Sequence, residues 1–284
     1  MVSIKGGRKR VVTGAASTLT AGLALGAFAL GGTADGATDA GAAARGTRVK
    51  PTVVLEHGAF ADGSSWNGVI AGLRADGYPV VAAANPLRGP ASDAAALRTV
   101  LGHIKGPKVL VGHSYGGNVI SEAAVGDPDV KALVYVAAFL PAPGDRAGAH
   151  RQVPGLHAPR RPGPGHLSAG RRHHSDRPVH PAGQVPPPVR RRRTPGQAAL
   201  MAAEQRPIAQ AALEEKATAA AWKTKPSWDI VTTEDLNIPV AAQRFMAKRA
   251  RAHTTEVAAS HSVAVSHPHL VTDVIERAAR ATVR

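Results

Sequence analysis

No cysteine occurs anywhere in the chain. That excludes a disulfide framework, a thiolate metal site and a cysteine nucleophile, so any nucleophilic chemistry has to come from another residue type. Aromatic residues are scarce at 4 %, although the hydrophobic fraction of 44 % is that of an ordinary globular protein. The shortage is local, for no aromatic residue lies between Phe139 and Trp222. Acids are few as well: 20 Asp and Glu stand against 35 Lys and Arg, a formal charge of +15. Such an excess raises the question of a nucleic-acid or membrane-surface partner, and its distribution along the chain answers it.

Eleven arginines fall between Arg146 and Thr194, opposed by Asp176 alone, which is a local charge of +10. The same stretch is rich in Pro, His and Gly and carries no periodic apolar face. Three readings compete for it: a disordered basic insert, a nucleic-acid-binding arm, or sequence read out of frame from a GC-rich gene. A pair of compensating frame changes near residues 145 and 195 accounts for charge, aromatic loss and aperiodicity with one cause, and is favoured here. Nucleic-acid binding has only the basic run in its support, without stacking aromatics or a recognisable module. No nucleic-acid partner is therefore expected.

The first segment has a different character. Lys5, Arg8, Lys9 and Arg10 precede an Ala/Gly/Leu-rich run from Val11 to about Leu30, followed by small residues through Ala42–Ala44. This is the three-part layout of a secretory signal peptide, so residues 1–44 are expected to be removed and the remainder secreted. Thr13, Ser17, Thr18, Thr20 and three glycines make the run a poor permanent membrane span. The remaining residues 45–284 suit a single domain with a sizeable core.

After Pro51, short apolar runs alternate with helical patterns, the signature of βα units in a mostly parallel sheet flanked by helices. The predicted strands are Thr52–Leu55, Pro79–Ala83, Val109–Val111, Ala132–Ala137, Trp228–Val231 and Thr255–Ala258. Ser92 is placed to cap a helix that carries Ala96, Leu97, Val100, Leu101 and Ile104 on one face. Pro239 sits at the first turn of a helix running to Arg251, and a terminal helix spans roughly Leu270 to Ala281.

Within that frame one motif carries chemistry. Lys108–Gly117 joins a buried-strand run to a helix start through Gly112-His113-Ser114-Tyr115-Gly116. A nucleophile on a sharp strand-to-helix turn needs strained backbone angles, and side chains at Gly112 and Gly116 would collide with neighbouring backbone. The helix start then directs its amides and dipole at developing negative charge. Downstream, Thr232–Pro239 follows a strand and precedes a helix, where a carboxylate, Asp235 or Glu234, can reach an imidazole at the strand ends. His261 follows the last strand, with His267 and His269 as nearby alternatives that flank Pro268.

The segments LEHGAFADGSSW, VGHSYGG, VTTEDLNIP and ASHSVAV, in this order, make the chain resemble the α/β-hydrolase superfamily. Within it, the chain resembles in particular small bacterial serine esterases and the plant methylesterase and hydroxynitrile-lyase group. The likeness covers about Pro51–Phe139 and Ala198–Arg284. It implies an α/β fold in which Ser114 is the nucleophile, His261 the base and Asp235, favoured over Glu234, the orienting acid. It further implies an oxyanion hole made by the amides of Ala59 and Tyr115, a substrate contact from Phe60, and a structural role for His57. A helical lid is implied over about residues 141–222, whose anomalous part is 146–194. The implied reaction is hydrolysis of a small-molecule carboxylic ester through an acyl-enzyme, with no metal and no organic cofactor. Perhydrolysis, C–C bond hydrolysis or cyanohydrin cleavage on the same triad stay open, as does an inactive product crippled by the altered lid. Substrate identity and oligomeric state are left open by the sequence.

Overall fold

A computed structural model describes residues 49–146 and 195–282. The predicted signal peptide and residues 147–194 of the basic stretch lie outside the described residues.

The described chain builds a six-stranded, wholly parallel sheet of β1 (Thr52–Glu56), β2 (Val80–Ala83), β3 (Lys108–His113), β4 (Val130–Val136), β5 (Ser227–Thr232) and β6 (His253–Val257). Their order across the sheet is β2-β1-β3-β4-β5-β6. The motif-bearing strand β3 therefore sits near the middle, between β1 and β4. Central strands of a parallel sheet are covered on both faces, which is why β3 and β4 read as nearly continuous apolar runs. Alternate residues sort to opposite faces: Val53, Leu55, Val109, Val111, Ala132 and Val134 enter one core, and Val54, Leu110, Leu133 and Tyr135 the other.

Helices close both faces. Against the first core pack α1 (Asn67–Ala75), α7 (Val263–Ser266) and α8 (Pro268–Thr282), whose buried Val271, Val274, Ile275 and Ala278 form an inward stripe. Against the second pack α2 (Pro90–Gly102), α3 (Gly116–Ala123) and α6 (Val240–Ala250). The insertion between β4 and β5 contributes α4 (Pro195–Ala203) and α5 (Gln210–Glu214). No described helix is long and apolar enough to cross a membrane.

The insertion leaves and returns through one clamped base. Arg146 pairs with Lys216 in an antiparallel bridge, and just inside it the amides of Gly144 and Ala217 donate to Ala217 and Asp145 carbonyls. The Trp222 indole N–H donates to the Pro141 carbonyl at 2.7 Å. Arg249 of α6 reaches Asp145 and the Leu140 carbonyl, with its guanidinium over the rings of Trp222 and Phe245.

The α/β architecture and all six strands follow the sequence expectation, with strand ends displaced by one or two residues, β4 and β6 both starting two residues early, and one helix start misplaced. Helix α2 starts at Pro90 with Gly89 as its cap, so Ser92 is not the capping residue. Proline is preset for the first helical position, and the Asp93 carboxylate takes the amides of Arg88 and Gly89, which fixes the start earlier. Strand β6 starts at His253, two residues before its predicted start, because it is the sheet edge and its first residues are exposed and polar.

Leu110 is fully buried on β3. Leu110→Ala is expected to cost about 3 kcal/mol of stability, read as a lower urea midpoint at an unchanged m-value.

Candidate active site

Ser114 follows β3 directly and precedes α3 with φ of +53°, the left-handed region that a residue with a Cβ adopts only under constraint. Its constraint is close packing. A Cβ on Gly112 would stand 2.6 Å from the Gly116 carbonyl oxygen, one on Gly116 would stand 2.6 Å from that of Glu56, and one on Gly117 would meet that of Phe139. The Ser114 carbonyl accepts from the amides of Gly117 and Phe139, which holds the turn against the neighbouring strand end.

The three side chains named from sequence stand in one hydrogen-bonded line. The Ser114 hydroxyl lies 2.8 Å from Nε2 of His261, and Nδ1 of His261 lies 2.7 Å from Oδ2 of Asp235. Asp235 is the acid that reaches the imidazole; Glu234 is not in this line. Its other oxygen accepts the amides of Asn237 at 2.7 Å and Ile238 at 3.0 Å. Burial disfavours the Asp235 charge, but the hydrogen bond and charge of His261 and these two amides outweigh it and hold the carboxyl below its ordinary value. His267 instead meets the Ser266 hydroxyl, and His269 is exposed at the start of α8.

Two further imidazoles are kept neutral. His57 is fully buried; its Nδ1–H donates to the Gly58 carbonyl and its Nε2 accepts the Asn85 amide. Both ring nitrogens are thus used in holding the loop, in keeping with a structural role, and burial lowers its pKa. Asn85 completes that brace by donating to the His57 carbonyl and accepting the Leu87 amide. His113 donates from Nε2 to the main-chain carbonyl of His261 at 2.9 Å, and the two rings lie 4.8 Å apart. Burial first, and then the neighbouring His261, push its pKa down to about 3.

A cavity of about 530 Å³ opens over Ser114 and His261. Ala59, Phe60 and Tyr115 line it on the core side, with Phe139, Ile238 and Val265 adding apolar wall. Phe60 is 54 % exposed and, like Ser114, has a positive φ. Ala198, Met201 and Ala202 of α4 and Leu213 of α5 line it as well. A Cβ on Gly58 would lie 2.9 Å from that of Ser114, so the loop carrying Ala59 packs directly on the serine turn. Tyr115 caps α3, and its phenol is committed elsewhere, donating to Asp93 at 2.7 Å. Among the described residues no group of three or more His, Asp or Glu side chains is arranged to hold a metal ion.

Sequence reasoning missed four polar residues here: Asn85, His113, Thr232 and Gln243. Thr232 and Gln243 both donate to Oδ2 of Asp235 at 3.0 Å. Only Gln243 had a sequence signal, as a polar side chain among Ala242, Met246 and Ala247 on the buried face of α6.

The sign of one pH effect follows from His113. Between its ordinary value of 6.5 and about 3, the unfolded chain binds a proton that the folded chain refuses, so folding stability declines as pH falls through that window. In His113→Gln the urea midpoint is expected to decline less steeply with falling pH, by up to about 1.4 kcal/mol per pH unit in stability. Parallel curves for the two proteins would contradict the buried neutral imidazole.

The sequence profile of the alpha/beta hydrolase family matches residues 53–274. A carbendazim-hydrolysing esterase of Nocardioides sp. (strain SG-4G) is 36 % identical over 107 residues, 32 % of this chain and 43 % of that protein. The chain thus matches less than half the length of that relative. Among solved structures, a pyrethroid hydrolase from Sphingobium faniae JZ-2 superimposes with a TM-score of 0.58 at 21 % identity, covering 81 % of this chain and 98 % of the other. Tomato methylketone synthase I, solved with 2-tridecanone, gives 0.60 at 19 % identity over 82 % and 99 %. At such identities these likenesses speak for the fold alone. The profile match, in contrast, runs through both halves of the sheet and every segment that lines the cavity core, and by it the chain belongs to the alpha/beta hydrolase family.

Proposed function

We propose that the protein is a serine esterase that hydrolyses a small carboxylic ester through an acyl-enzyme on Ser114. The observation that carries this reading is the unbroken hydrogen-bonded line from the Ser114 hydroxyl through His261 to Asp235, opening on a cavity. Nδ1 of His261 donates to Asp235, so Nε2 is left as the acceptor that a general base needs. As the Ser114 oxygen attacks the ester carbonyl, His261 takes its proton, and then returns it to the departing alcohol. Water, deprotonated by the same imidazole, releases the acid. Asp235 fixes the imidazole tautomer and stabilises the cation.

The amides of Ala59 and Tyr115 are assigned to the tetrahedral oxyanion, supported by the position of both residues beside Ser114 on the cavity wall. Such donors are commonly worth about 3 kcal/mol each in the transition state. Phe60 is assigned to substrate contact on the same ground. The esterase named among the relatives supports ester chemistry over other reactions available to this fold. Export is proposed from the layout of residues 1–44.

Two outcomes test the reading. Short-chain p-nitrophenyl esters are expected to be turned over with an initial burst, and Ser114→Ala to lose on the order of 10³- to 10⁶-fold in kcat. A fluorophosphonate probe is expected to label the parent protein and not Ser114→Ala. Labelling or turnover that survives the substitution removes Ser114 from the role.

A further inference from the structure

Gln243 lies one turn into α6, 1 % exposed, and its amide group is fully committed. Oε1 accepts the Thr232 amide at 3.0 Å. Nε2 donates to Oδ2 of Asp235 at 3.0 Å and to the Ile238 carbonyl at 2.8 Å. An amide oxygen must face the Thr232 N–H and an amide nitrogen must face both a carboxylate and a carbonyl, so the orientation of this side chain is determined by its partners. One residue therefore ties the end of β5, the Asp235 turn and the start of α6 to the same carboxylate oxygen that His261 uses.

We infer that Gln243 is a positioning residue for catalysis, acting through Asp235 to orient His261; this rests on the Ser114–His261–Asp235 reading above. Oδ2 receives three donors, from His261, Thr232 and Gln243, while Oδ1 receives two main-chain amides. The carboxylate is thereby locked in plane and angle, and the imidazole can take only the tautomer that leaves Nε2 facing Ser114. A glutamine meets this requirement because it donates without adding charge. Glutamate of the same shape would keep the bond from the Thr232 amide and set a second carboxyl oxygen against Oδ2. The titratable side chains that meet His261 are Asp235 from the turn after β5 and His113 from the end of β3.

The test compares Gln243→Glu and Gln243→Met with the parent in the full chain. The readouts are p-nitrophenyl ester turnover from about pH 5 to 9, with kcat expressed per active site titrated by the fluorophosphonate. A positioning role predicts kcat lower by about tenfold or more with KM within about twofold, since orientation of the base matters in the transition state and not in substrate binding. It also predicts that the acid limb of kcat/KM moves to higher pH in Gln243→Glu, because the added carboxyl favours protonated His261. Parent-like kcat and an unmoved acid limb in either folded variant overturn the inference, as does failure of both variants to yield any titratable sites, which would make Gln243 a folding residue. Turnover that survives Ser114→Ala would instead remove the underlying esterase reading, so the two failures are told apart.

Discussion

The geometry of this site depends on one close contact, the approach of the serine turn to the ends of the neighbouring strands. With Gly116 against the Glu56 carbonyl and Gly117 against that of Phe139, there is no room for a methyl group at either position. That closeness lets the Ser114 carbonyl take the Phe139 amide and holds the serine at a φ that it would otherwise leave. It also brings the loop after β1 within van der Waals reach of the Ser114 side chain, so that Ala59 and Tyr115 border the same point of the cavity. The strain at the turn, typically about 1–3 kcal/mol for such a residue, is offset by a sheet whose central strands are buried on both faces.

Electrostatics then divides three titratable groups around that turn into different states. Burial alone would neutralise all of them, and it does so for His57 and His113, whose ring nitrogens meet only main-chain groups that suit a neutral imidazole. Asp235 is equally inaccessible but keeps its charge because donors surround both of its oxygens. The difference lies in the number of N–H and O–H groups aimed at each side chain, not in depth. His261 joins the two sides of the site, with a carboxylate on one nitrogen and a hydroxyl on the other.

How much of this was legible beforehand follows from how local each signal is. The Gly-x-Ser-x-Gly turn is a signal within five residues, although only Gly112 answers to a contact inside it and Gly116 answers to the Glu56 carbonyl at the end of β1. The strands of a parallel sheet announce themselves by apolar runs, and β6 was mistaken at its start because an edge strand lacks that signature. Ser92 was misread as a cap because the neighbouring Pro90 and Asp93 decide the helix start together. His113 and Asn85 acquire their meaning only from main-chain carbonyls that the fold brings to them from distant parts of the chain, whereas Thr232 serves Asp235 from three residues away. Gln243 interrupts an apolar helix face, a signal the sequence reading passed over, and nothing local names its partner.

The clamp beneath the insertion separates two inheritances within one polymer. Because Arg146 and Lys216 meet, the intervening chain departs from and returns to a single place, and its returning part packs on the core through the buried Ala212 and the Ala209 amide, which donates to the Leu87 carbonyl. Loop-closure entropy grows only slowly with length, by about 0.6 kcal/mol for each doubling, so such an excursion can change in length at little cost to the scaffold. Ten of the eleven arginines of the basic stretch fall between the two clamp residues, and Arg146 is itself one of the pair. Tied at that point, the polymer couples the sheet to its excursion through few groups, and Ala212 and Leu213 mark where the coupling is tightest.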